Sequence, residues 1–143
     1  MSKIKSFNLF ESNSTDIEKV CSLYDDVNQI SYILEEDGFE PIYELKVVCV
    51  LDGSLEKGIV SFRIRNSDKI REILNRPKCV LREFIINVRN NNLDLDSFKL
   101  RTSRYLEMLR EHLEYVPEEF IKMQMWHSKG AYYEISISSN FFV

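Results

Sequence analysis

The sequence predicts an α+β fold in one domain covering residues 1–143: a mainly antiparallel sheet of about five strands, packed by two longer helices and one short helix in the order α-β-β-α-β-α-β-β. The stretch Tyr43–Asn66, YELKVVCVLDGSLEKGIVSFRIRN, reads as an apolar strand, a turn and a return strand rich in β-branched residues. The segment before it repeats its apolar residues at helical spacing. Length agrees: 143 residues suit a single core that needs neither disulfide nor metal staples.

Residues 1–14 are polar, with Ile4, Phe7, Leu9 and Phe10 able to form an edge strand or cover the core. Thr15 and Glu18 have capping-box spacing and open the first helix. Its apolar face runs Ile17, Val20, Cys21, Tyr24, Val27, Ile30, Ile33 and Leu34, and Gly38 stops it. Pro41 leads into the first strand. Tyr43, Leu45, Val47 and Cys49 share one face, and the far end of the strand is expected to be buried on both sides. In the return strand Val60, Phe62 and Ile64 alternate with Ile59, Ser61, Arg63 and Arg65.

Ser67 or Asp68 is expected to cap a short helix that Pro77 closes. From Cys79 to Arg89 strict alternation puts Val80, Arg82, Phe84, Ile86 and Val88 together, and Asn90–Asn92 turn the chain. Asp96 or Ser97 is expected to cap the second long helix, although SFKLR taken alone also fits a strand. The last segment reads as a hairpin, Phe120–Trp126 paired with Ala131–Ser138.

Charge is unevenly spread. Residues 1–57 hold five Lys/Arg and twelve Asp/Glu; residues 58–90 hold eight and three. Such separation steers a charged partner, unless the two blocks pack against and neutralise each other. Asp25, Asp26, Glu35, Glu36 and Asp37 line the outer face and C-terminal end of the first helix. Three consecutive acids at the negative end of a helix dipole are locally unfavourable, which points to a partner or basic neighbour, against the plainer and preferred reading of a solvated helix end. Tyr132 alternates with Glu134 and Ser136 and is the expected exposed aromatic anchor.

Chemistry is harder to find. Nucleotide-binding glycine loops, zinc-protease helices and serine-hydrolase elbows are all missing. His112 and His127 are isolated, and no catalytic residue, metal ligand or cofactor site is assigned. Cys21, Cys49 and Cys79 are odd in number, lack ligand spacing and read as free buried thiols of a reducing, cytoplasmic compartment. No apolar run approaches the ~20 residues of a membrane helix.

The sequence reading is therefore a non-catalytic protein-binding domain, of the immunity or inhibitor kind, neutralising another protein, of basic character, through its acidic surface. One alternative is a nucleic-acid-binding module using Arg63, Arg65 and Arg82 on a sheet face. Another is a small enzyme whose site assembles from distant residues. An edge strand also leaves a homodimer open.

Overall fold

The computed structural model describes residues 15–50, 57–90, 92–127 and 131–143. Within them the element order follows the sequence reading: α1 (Ile17–Gln29), α2 (Ser31–Glu36), β1 (Pro41–Val50), β2 (Lys57–Ile64), α3 (Ser67–Leu74), β3 (Cys79–Asn90), α4 (Leu95–His112), β4 (Ile121–His127) and β5 (Ala131–Ser138). Short 3-10 turns at Glu118–Phe120 and Ser139–Phe142 flank the last hairpin. The five strands form one antiparallel sheet in the order β2-β1-β3-β5-β4.

Alternation decides which side of the sheet is covered. Tyr43, Leu45 and Val47 of β1, Phe84, Ile86 and Val88 of β3, and Tyr133, Ile135 and Ile137 of β5 join the apolar stripes of the helices in one buried cluster. Tyr24 of α1 meets Tyr43 edge-on at 5.3 Å, and Phe98 of α4 stacks on Tyr133 at 5.0 Å. The opposite face carries Glu44, Lys46, Asn87, Glu134 and Ser136, with Ile85 buried among them but outside the main cluster.

Several local expectations shift. The first helix breaks at Ile30, and its second piece, α2, packs on α4. Val27 before the break, Ile30 at it, and Ile33 and Leu34 after it are all buried, so apolar spacing carries no sign of it. The caps also move by a residue or two. Asp16, not Thr15, accepts from the Lys19 amide at 3.2 Å; Asn66, not Ser67 or Asp68, caps α3; Asp94, not Asp96 or Ser97, caps α4. All three are short polar side chains on extended backbone, where a side-chain oxygen reaches the amide three residues on.

Asp16→Ala is thus expected to cost about 1 kcal/mol in urea unfolding, and Thr15→Ala less than about 0.5 kcal/mol. The reverse ranking would return the cap to Thr15. Gly38 stops the helix as expected. At φ +80 it completes a Schellman ending, its own amide donating to Glu35 O and that of Phe39 to Leu34 O.

Two corrections concern β1 and β3. The far end of β1 is not buried on both sides, because Val48, Cys49 and Val50 are half-exposed and β2 beyond them is the edge of the sheet. In β3 a bulge breaks strict alternation: Lys46 faces Glu83, but Val47 faces Leu81, leaving Arg82 as the extra residue. Leu81, rather than Val80 or Arg82, therefore enters the core, and the guanidinium stays in water.

The same register joins Cys49 and Cys79 in a disulfide, their Cα atoms 4.2 Å apart. The neighbouring bond from Val50 N to Lys78 O marks the cysteines as a non-hydrogen-bonded pair, where facing side chains stand closest. Only Cys21 is free, buried against α3 with its thiol donating to Ser67 O. The expectation of three thiols thus fails, and with it the cysteine argument for a reducing compartment. No helix among the described residues is long and apolar enough to cross a membrane.

The C-terminal aromatics are tucked in. Phe141 and Phe142 are buried, the Phe142 carbonyl accepts the Asp16 amide at 2.6 Å, and Lys19 Nζ sits 4.2 Å over the Phe141 ring.

Candidate functional site

The acidic surface is built by α1 and α2. Burial of Val20, Leu23, Tyr24 and Val27 turns Asp25 outward, and the Schellman ending holds Glu35, Glu36 and Asp37 on the last turn of α2 in solvent. No basic residue occupies that turn. Part of the negative charge is met inside the molecule. Glu18 takes Arg71 in a two-pronged pair at 3.1 and 3.2 Å, which holds the Glu18 carboxyl below its ordinary range. Glu40 pairs with Arg63 at 3.6 Å and Glu36 with Arg104 at 3.4 Å. Asp26 accepts from the Tyr115 hydroxyl at 2.8 Å. Asp25, Glu35 and Asp37 make no ion pair or side-chain hydrogen bond among the described residues.

The acidic and basic blocks meet in a cleft of about 400 Å³. Tyr24, Asn28, Ser31 and Glu35 form its helical wall, Glu40, Pro41 and Tyr43 its base, and Arg63, Ile64 and Arg65 its strand wall. The cleft brings Glu35 together with Arg63 and Arg65. Arg63 is engaged by Glu40, while Arg65 is exposed and forms no ion pair among the described residues. Asn28, Ser31 and Glu40 have no role in the sequence reading, and Tyr24 enters it only as part of the apolar face. Tyr24, Asn28 and Ser31 converge because α1 and α2 meet at the break, and Glu40 joins them from the residues just before β1.

The remaining predicted residues lie elsewhere. Arg82, thrown out by the bulge, lines a second cleft of about 370 Å³ with Glu83, Glu119 and Lys122. Tyr132 lies on the uncovered sheet face, away from the helices, half-buried beneath the Arg89 guanidinium at 4.9 Å. Burial first, and Glu134 second, push its hydroxyl pKa up. The acidic ridge and Tyr132 are therefore not one surface. Arg63 and Arg65 line the first cleft and Arg82 the second, and acids lie among the basic residues of the sheet: Arg63 stands opposite Glu44, and Lys46 between Ser61 and Glu83.

The described residues hold no group of three His, Cys, Asp or Glu able to bind a metal. His112 Nδ1 lies 3.0 Å from the Met108 carbonyl on its own helix, a local contact that orients the ring. Burial pushes the Cys21 thiol up, away from the reactive thiolate form.

Below the cleft lie two deeply placed phenols. Burial raises the pKa of Tyr43, whose hydroxyl donates to Val27 O at 3.4 Å, and that of Tyr105, whose buried hydroxyl interacts with that of Tyr43. Both folded-state values lie above the unfolded value of about 10, so the folded state keeps protons that the unfolded chain releases. Their stabilising effect is complete below about pH 10 and is lost as pH rises through the folded values. Stability is expected to fall by up to about 1.4 kcal/mol per pH unit for each tyrosine above that point. Tyr105→Phe should flatten the decline in urea unfolding between pH 9 and 12. An unchanged slope would show that Tyr105 does not contribute to it.

No family model, curated protein or solved structure matches this chain.

Proposed function

We propose that this is a non-catalytic protein-binding domain, of the inhibitor or immunity kind, which engages a basic partner protein through the ridge formed by Asp25, Glu35 and Asp37. Uncompensated acid at the end of α2 carries the reading. Of the three acids on a turn whose dipole disfavours them, only Glu36 forms an ion pair among the described residues. A cluster of Lys or Arg on a partner would relieve that repulsion and complete the charge. Asp26 and Glu36 sit within the ridge but are already engaged by Tyr115 and Arg104, so they set its shape more than its free charge.

Affinity capture from the native host, with the retained protein purified and titrated against the domain, tests this. The expected partner is basic over its contact surface, and its affinity falls steeply between low and physiological salt. A partner bound with salt-independent affinity, or retention of the domain on single-stranded DNA with no protein partner, would overturn it.

A further inference from the structure

We propose that the outer edge of β2, which adjoins the acidic ridge at the Arg63 and Arg65 end, is a second docking surface that accepts an acidic extended segment of a partner protein as an added strand. β2 is terminal in the sheet, and no described strand pairs with its outer side. It is regular: all eight residues pair with β1 in unbroken register, without a bulge or proline. Such an edge presents unpaired N–H and C=O groups at every second residue. Ile59 is 57% exposed and Val60 37% exposed; Ile59 is the most exposed large apolar residue of any strand among the described residues.

Charge selects the occupant. Lys57 and Arg63 lie near the two ends of β2 and Arg65 follows it; the strand contains no carboxylate, and although Glu40 holds Arg63, Lys57 and Arg65 form no ion pair among the described residues. A second copy pairing antiparallel about Val60 would set Lys57 against Arg63, and pairing about Ser61 would set Lys57 against Arg65. Like charges directly opposed destabilise a ladder, so the edge disfavours its own copy. A foreign strand with carboxylates on the Lys57–Ile59–Arg63 side reverses the sign. Aliphatic residues at the alternate positions would cover Val60 and Phe62, whose ring already lies under the Arg76 guanidinium at 5.1 Å. Backbone bonds supply affinity in this mode, and alternating side chains supply selectivity.

The test is amide hydrogen exchange on the full chain, with and without an alternating glutamate–valine decapeptide. A lysine–valine decapeptide serves as the counterpart. In the chain alone, outward-facing β2 amides are expected to exchange rapidly. Saturating acidic peptide should slow them more than tenfold, and the basic peptide should bind at least tenfold more weakly. Lys57→Glu should narrow or invert that preference without altering the exchange of β3 amides. β2 amides already protected in the chain alone would overturn the proposal, since the edge is then covered by the chain or its copy. Equal protection by both peptides, or protection confined to another element, would also overturn it.

Discussion

Phe98→Ala is expected to destabilise the protein by about 3–5 kcal/mol, the range for truncating a fully buried aromatic. Phe98 is 0% exposed and joins three parts of the fold. It stacks on Tyr133 of β5 at 5.0 Å, meets Phe39 edge-on at 5.9 Å just after the Gly38 stop, and its carbonyl accepts from the buried Thr102 hydroxyl at 2.7 Å. Truncation removes the ring that fixes α4 against the sheet, and surrounding side chains that are themselves buried can collapse only partly into the space. A double-mutant cycle with Tyr133→Leu should show about 0.5–1.5 kcal/mol of coupling from the stacked pair. A loss below about 1 kcal/mol in urea unfolding would mean that α4 is not held as described.

Replacing Cys49 and Cys79 together by alanine is expected to cost about 3–4 kcal/mol. The bridge closes a separation of 30 residues, and the loss of loop entropy from the unfolded chain gives that magnitude. Reductant should lower the stability of the unaltered protein by a similar amount and leave the double variant unaffected. Thiol titration in denaturant should find one reactive group before reduction, from Cys21, and three after it. Three reactive thiols without reduction, together with a loss under about 1 kcal/mol, would restore the free thiols expected from the sequence.

Those two sites show what was legible in the sequence and what was not. The hairpin of β1 and β2, the α3 segment, β3 and the final hairpin were readable because period-2 and helical spacing record which face is buried. Gly38 was readable because a positive φ at a helix end favours glycine. The Cys49–Cys79 bridge was not readable, since it depends on β1 pairing with β3 rather than on any local spacing. The Arg82 bulge was hidden for the same reason: an extra residue appears only when two strands are set side by side. Phe98 was ambiguous because SFKLR alternates over a short span, and tertiary packing decides in favour of the helix.

The candidate site divided in the same way. The acids at the end of α2 were visible as a run of like charge. Their neighbours were not, because Arg104 lies 68 residues from Glu36 and Arg71 lies 53 residues from Glu18. Packing therefore met part of the separated charge, as either reading of the sequence allowed, and left Asp25, Glu35 and Asp37 as the residue of the separation. The convergence of Glu35 with Arg63 and Arg65 required both the helix break and the edge position of β2, and neither has a local signature.

The central claim is that these acids are kept at a local cost for a partner. Paired measurements on the Glu35→Lys/Asp37→Lys variant, of stability and of affinity for the captured partner, test it most directly. The helix dipole should favour the two cations by about 0.3–1 kcal/mol per site, offset at position 35 by repulsion from Arg63 and Arg65 across the cleft, so stability should be held or slightly raised. The same variant should bind the basic partner at least about tenfold more weakly, because each attraction becomes a repulsion. Stability held or raised with affinity lost is the predicted result; affinity unchanged in a folded variant would contradict the account.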